Sequence, residues 1–243
     1  MKALFHALSF LSILPMPGMD RPRDGAVFAA YPWAGLVLGG CTAAIAWLTG
    51  LVLGVWGTVA AVMAARIVLT GGLHLDGLAD LADGLGGGSK AQKCLEIMKD
   101  SRIGSYGVLA LITMCGLQAA FIAEWLADRN FSVLPLILVP GLSRGAVPAL
   151  MRMFPFAREG GLGAALGGTV STAAAIFAAA GAGLAAGLLY GGIGLGLWGG
   201  VSLLMTAGGA LVSRKLGGLT GDCYGAIIEL GDMLGYLGAV ILL

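Results

Sequence analysis

The sequence predicts an all-α fold, a polytopic integral membrane bundle of about seven transmembrane helices with its N-terminus on the cytoplasmic side. Three observations carry that prediction. Only 11% of the 243 residues are charged, 58% are hydrophobic and mean hydropathy is +0.93, whereas a soluble domain carries about a quarter charged residues to cover its surface. The stretches 25–65 and 160–213 contain no charge at all. At about 1.5 Å per residue, against a bilayer core about 30 Å thick, each is long enough for two helices. Finally, the basic residues fall on one side of the resulting topology, as the positive-inside rule requires. The same composition excludes disorder, because so apolar a chain collapses. Four cysteines without framework spacing or a CxxC exclude a disulfide scaffold, and a formal net charge of +1 gives no reason to expect nucleic acid.

Residues 1–14 form a short apolar stretch behind Lys2, too short to span and read as an interfacial helix on the inner leaflet. A cleaved signal peptide is the weaker alternative, since Pro15-Met16-Pro17 follows in place of a small-residue cleavage site. The first pair of spans falls near 31–53 and 55–75, turning in the Gly54–Gly57 region. Two more lie at 104–126 and 131–150. A second pair lies near 169–188 and 193–212, turning at Tyr190–Gly194, and the seventh covers 223–243. The whole chain, 1–243, reads as one membrane-embedded catalytic domain with a cytoplasmic catalytic loop at 76–103. This places Lys2, Arg21, Arg23, Lys90, Lys93, Lys99, Arg102, Arg144, Arg152, Arg158, Arg214 and Lys215 inside, 12 of the 14 basic residues. Arg129 falls in an outer loop and Arg66 inside the second span. The glycine-rich stretch from Gly181 to Gly200 suits close helix packing. Met and Trp positions read as lipid-facing or interfacial.

Asp76, Asp80 and Asp83 stand at i, i+4 and i+7, which on a helix puts them within roughly 60° of one another. Like charges so placed repel, and beside a membrane the arrangement points to carboxylates offered to a divalent cation. Hard cations such as Mg²⁺ take oxygen ligands and are completed by substrate phosphates. A solvated acidic face is the bland alternative. Against it stand the interleaved Leu75, Leu78, Leu81 and Ala82, which make the segment amphipathic, and the nearby Lys99-Asp100-Ser101-Arg102 run. That run mixes phosphate-binding cations with a fourth carboxylate, and metal plus basic residues is what holding a diphosphate requires. His74 is read both as a metal ligand or general base and, more ordinarily, as a hydrogen-bonded structural residue. The last inner loop, Arg214 to Asp222, opens on the same side, so Arg214 and Asp222 join the candidate site. Glu229 and Asp232 lie deeper, where ionised carboxylates need partners; Arg66 is a candidate partner, in a structural ion pair or in catalysis.

Two central motifs, Gly71-Gly72-Leu73-His74-Leu75-Asp76-Gly77-Leu78-Ala79-Asp80-Leu81-Ala82-Asp83-Gly84 and Leu95-Glu96-Ile97-Met98-Lys99-Asp100-Ser101-Arg102-Ile103-Gly104, resemble the signature of the cobalamin synthase family, the adenosylcobinamide-GDP ribazoletransferases. Gly217-Gly218-Leu219-Thr220-Gly221-Asp222-Cys223-Tyr224-Gly225-Ala226 is similar to its C-terminal motif, Phe10-Leu11-Ser12-Ile13-Leu14-Pro15 to its opening, and Gly160-Gly161-Leu162-Gly163 to its middle. Leu81 departs from the pattern where a small polar residue is expected, away from the aspartate face.

The resemblance implies a Mg²⁺-dependent enzyme of the inner, cytoplasmic membrane with its active site facing the cytoplasm. Its substrates would be adenosylcobinamide-GDP and α-ribazole or its 5′-phosphate. The products would be adenosylcobalamin or its phosphate and GMP, at the last step of nucleotide loop assembly. It assigns Asp76, Asp80, Asp83 and Asp100 to Mg²⁺, and Lys99, Ser101, Arg102 and Arg214 to phosphate. Asp100 or Asp222 would be the general base, with His74 a further catalytic candidate. The lipid bilayer is the expected partner, and a homo-oligomer or an association with other cobalamin-assembly enzymes stays open. Two other readings compete. Asp80-Leu81-Ala82-Asp83-Gly84 matches the DxxDG opening of the CDP-alcohol phosphotransferases, but the rest of that motif is missing. A small-solute transporter would place its ionisable groups near the midplane on broken helices.

Overall fold

The computed structural model describes residues 1–16, 25–128, 132–157 and 170–243. Among them the regular structure is helical, apart from one isolated parallel bridge between Phe156 and Leu219. The helices are α1 (Lys2–Leu11), a 3-10 helix (Gly25–Ala30), α2 (Tyr31–Gly50), α3 (Val55–Thr70), α4 (Leu73–Gly87), α5 (Ala91–Ile97), α6 (Ser105–Asp128), α7 (Leu134–Met153), α8 (Thr172–Leu216) and α9 (Gly221–Leu242). Five helical stretches are long and apolar enough to cross a membrane: Gly25–Gly50, Ser105–Ala127, α7, α8 and α9. The α3–α4 pair makes a sixth when counted as one bent span. The chain is therefore a multi-pass membrane protein.

Two breaks shape this bundle. α8 holds non-helical backbone at Tyr190 and at Gly191 (φ 57°), within the turn predicted from the sequence. A Cβ on Gly183 would meet the Trp198 ring at 3.4 Å, and one on Gly187 would meet Leu195. In an unbroken helix residues 183 and 198 would lie about 22 Å apart, so the arms 172–189 and 192–216 fold back on each other. The second break departs from expectation. The predicted span 55–75 ends early, at Thr70, because Gly71 (φ 61°) and Gly72 (φ 72°) are both left-handed, a conformation that costs side-chain-bearing residues and is open to glycine. Their N–H groups close on the Val68 and Ile67 carbonyls, and α4 leaves at 87° to α3. The predicted catalytic loop at 76–103 is accordingly mostly helix, formed by α4 and α5.

α7 is the axis of the bundle; 83% of its most apolar window is buried. α2 packs on it through Gly35 and Gly39, where an added Cβ would overlap the α7 backbone between Leu136 and Gly141. On the other side Gly145 of α7 faces Ala182 of α8, and Gly231 and Gly235 of α9 face Ser143 and Val139. Small residues four apart let helix backbones approach closely where lipid offers no hydrophobic drive to associate. α1 docks by Ala7, Leu8 and Leu11, and the chain after it is pinned by Ile13 N–H donating to the Leu69 carbonyl at 2.9 Å. Three sequence readings need correction. Arg144, counted among the basic residues at the inner side, sits in the middle of α7, 3% exposed. Trp125 is buried and donates to the Ser132 carbonyl at 2.7 Å. Met98, Met151 and Met205 are core residues. Arg21, Arg23, Arg129, Arg158 and the Gly160–Gly163 motif lie outside the described residues.

Candidate active site

The first central motif and the C-terminal motif meet where α4 crosses α9. At Gly77 an added Cβ would come within 2.7 Å of the Asp222 carbonyl oxygen, and at Gly225 within 3.2 Å of the His74 backbone. Each helix thus uses a glycine to admit the other's main chain, and Gly77 and Gly225 are required by this approach. Asp76 lies in the first turn of α4 and Asp222 in the first turn of α9, where the helix dipole favours negative charge. Thr220 caps α9, its hydroxyl accepting from Cys223 N–H at 3.3 Å. A cleft of about 390 Å³ opens there, lined among others by Ser9, Tyr31, His74, Asp76, Asp222 and Tyr224. Asp76 also borders a wider groove of about 830 Å³ with apolar walls from Phe10, Ile13, Ile67 and Leu111. Asp80, one turn further along α4, is half-buried.

Asp83 sits two turns from Asp76 and does something the spacing did not reveal. Its carboxylate accepts from Gly104 N–H at 2.7 Å and Gly107 N–H at 2.8 Å, satisfying donors at the start of α6 that the helix cannot satisfy itself. It lines a second cleft of about 330 Å³ with Lys93, Glu96, Asp100, Arg102 and Tyr106. There Asp100 is clamped by Arg102, which donates Nη2 to Oδ2 at 2.6 Å and Nε to Oδ1 at 3.0 Å, with the Arg102 main chain adding a third bond. Hydrogen bonds from the Arg102 side chain and backbone lower the Asp100 pKa from 3.8 to about 2, and the guanidinium is held above its ordinary value in return. Lys99, Asp100, Ser101 and Arg102 are all exposed. Arg214 is exposed at the end of α8, beside Lys215, whose ammonium donates to the Ser89 carbonyl at 3.0 Å.

Behind the first cleft lies a buried polar network joining five helices. Arg66 of α3 donates to Asp232 of α9 at 2.8 Å and to Gln118 of α6 at 2.7 Å, and lies 3.8 Å from Glu229. The pairing anticipated for Arg66 is present, with the two deeper acidic residues of α9, Glu229 and Asp232. Arg144 of α7 donates to both Asp232 oxygens at 2.8 Å and through Nη2 meets His74 Nδ1 of α4 at 3.3 Å. Gln118 donates to Glu229 at 2.9 Å, and Ser143 donates to Asp232. Nothing in the sequence pattern singled out Arg144 or Gln118. The signal was present in Arg144 all the same: a guanidinium in the middle of an apolar stretch between two prolines, which counting it with the inner-side charges conceals.

Of the predicted site residues, the structure brings together His74, Asp76 and Asp222 in one cleft, and Asp83, Asp100 and Arg102 in the other. It does not gather Asp76, Asp80, Asp83 and Asp100 around one point; among the described residues no three acidic, histidine or cysteine side chains form a metal-holding group.

The sequence matches the model of the cobalamin-5-phosphate synthase family over residues 3–240. Among curated proteins, an adenosylcobinamide-GDP ribazoletransferase of Roseiflexus is 40% identical, covering 94% of this chain and 85% of its own length. One of Rhizobium etli is 41% identical, covering 94% and 92%, and one of Klebsiella pneumoniae 36% identical, covering 96% and 97%. No solved structure matches. A match running almost from end to end, with relatives 36–41% identical over nearly the whole chain, means that the chain belongs to the cobalamin-5-phosphate synthase family.

Proposed function

We propose that this chain is an adenosylcobinamide-GDP ribazoletransferase that closes the cobalamin nucleotide loop at the Asp76–Asp222 cleft. The observation that carries the reading is the α4–α9 crossing, which sets Asp76 of the first central motif and Asp222 of the C-terminal motif into one cleft beside a wider groove. In the reaction the ribose hydroxyl of α-ribazole, or of its 5′-phosphate, forms a bond to the phosphorus that carries the cobinamide. The bond from that phosphorus to the GMP oxygen breaks, and GMP leaves. Phosphoryl transfer asks a protein mainly for positioning and charge stabilisation. Asp222 is the better general base of the two candidates, because Asp100 is held ionised by Arg102 and has little appetite for a proton. Arg102, Lys99, Ser101 and Arg214 form an exposed polar and basic rim suited to the nucleotide phosphates, and the apolar groove beside Asp76 suits the corrin.

Mg²⁺ fits this donor set in a specific way. A ready-made cage is absent among the described residues, but Mg²⁺ is commonly held by one or two carboxylates and completed by water and substrate phosphates. Asp76 would hold it, with Asp80 on the next turn, which leaves Asp222 to take the proton, and when bound the ion would neutralise charge on the diphosphate. We further place the protein in the inner membrane with seven crossings, the N-terminus and the cleft facing the cytoplasm, on the strength of the basic-residue asymmetry. The transporter reading finds no support in the interior charges. They are paired with one another across helix interfaces. The test is direct: purified chain in detergent, given adenosylcobinamide-GDP, α-ribazole and Mg²⁺, is expected to release GMP, and no release would overturn the reading.

A further inference from the structure

We propose that His74 and Tyr224 form an oxyanion-binding wall in the Asp76–Asp222 cleft, and that Arg144 is a positioning residue that holds His74 in the tautomer donating into it. The inference rests on the reading of this cleft as the diphosphate site and adds the residues that take the phosphoryl oxygens.

The argument begins with Arg144. A guanidinium has only donors, so the His74 Nδ1 lying 3.3 Å from its Nη2 is the accepting, unprotonated nitrogen. The neutral imidazole then carries its proton on Nε2. Arg144 is not free to swing away, because its Nη1 is fixed on both oxygens of Asp232. His74 is 2% exposed, and its Nε2 finds no hydrogen-bond partner among the described residues; the hydroxyl of Tyr224, 3% exposed, is in the same state. Both residues line the same cleft. Buried polar groups are nearly always hydrogen-bonded; of the six unpartnered buried polar atoms among the described residues these two belong to residues lining one cleft, which points to a ligand there that brings acceptors.

The charge around them narrows the ligand. Asp76 and Asp222 contribute anionic oxygens to the cleft, so the missing acceptors belong to a group that binds donors on one side and reaches carboxylates through a cation on the other. A phosphoryl group, with several non-bridging oxygens, does both. In transfer, charge shifts among those oxygens, and donors already aimed at them stabilise it without having to reorganise. His74 is thereby neither the base nor a metal ligand, since its one basic nitrogen is committed to Arg144.

The test uses the full chain in lipid nanodiscs. The protein has only two histidines, so ¹⁵N-histidine labelling of a His6→Gln background reports on His74 alone. A neutral ring protonated at Nε2 is expected, and GDP with Mg²⁺ should shift that N–H resonance. A proton on Nδ1, a doubly protonated ring, or no response to GDP would overturn the proposal. Arg144→Lys, whose single ammonium goes to Asp232, should let the Nδ1-protonated form appear; a spectrum unchanged from wild type would remove the positioning role. In turnover, the amide nitrogen of His74→Gln reaches about where Nε2 sits, whereas that of His74→Asn lies nearer Nδ1. H74Q is expected to retain at least about tenfold more kcat than H74N, and equal rates would overturn the donor role. Should wild-type protein release no GMP, the transferase reading fails, while the tautomer and its response to GDP still judge the wall.

Discussion

Charge is spent in two different ways in this molecule. The interior network of Arg66, Arg144, Asp232 and Glu229 is enclosed: Asp232 is fully buried, Arg144 is 3% exposed, and nearly every polar group contacts another across a helix interface. The Asp100–Arg102 pair at the rim has the shorter contact, 2.6 Å, but the Arg102 side chain is 87% exposed. Solvent weakens an ion pair of that kind, and such pairs are typically worth little. A buried pair differs because removing one partner strands the other without water. Contact distance alone therefore ranks these two regions in the wrong order. The enclosed charges hold helices together, and the exposed ones are available to a ligand.

The comparison breaks first at Asp232. Asp232→Asn leaves Arg66 and Arg144 without their shared countercharge, and we expect a loss of about 3–5 kcal/mol, read as a collapse of thermal stability in detergent; melting like wild type would deny the network its structural weight. Next in size, Asp76→Asn or Asp222→Asn should lower GMP release by on the order of a hundredfold or more with the melting curve unchanged, because these carboxylates face a cleft. Gly77→Ala drives a methyl group into the Asp222 backbone and should cost about 1–3 kcal/mol, with turnover falling alongside stability. Asp83→Ala removes the acceptor for two N–H groups at the start of α6 and should cost about 1 kcal/mol. The smallest effect belongs to the rim. Asp100 has a folded pKa lowered to about 2, so any stability it lends is present above its unfolded value of 3.8 and is lost as pH falls through about 2. Thermal stability should accordingly be flat from roughly pH 5 to 9 with respect to this group, and Arg102→Gln should change KM for adenosylcobinamide-GDP while leaving melting in place.

Much of this was readable from residue order. Charge-free runs mark where long helices lie, and the turn predicted at Tyr190–Gly194 contains the observed break. The pairing of Arg66 with the acidic residues of α9 followed from the cost of leaving either alone in an apolar span. What escaped reading did so for identifiable reasons. Helical spacing put Asp83 on the face of Asp76 and Asp80, but spacing says nothing of a neighbouring helix end, and Asp83 is engaged by the start of α6. Arg144 was counted with the basic residues of the inner side, although the span 131–150 contains it; its partner lies 88 positions away. Gly71-Gly72 announced a turn, yet its angle depends on both glycines being left-handed at once.

That corner bears on the depth at which the proposed chemistry would take place. With α3 upright in the bilayer, an 87° turn lays α4 nearly flat, so the roughly 10 Å between Asp76 and Asp83 runs sideways along the membrane surface. Had the helix continued straight, the same residues would stand at successive heights above the lipid. Laid down, they would form a ledge at constant height, open from the side to a bulky amphipathic substrate.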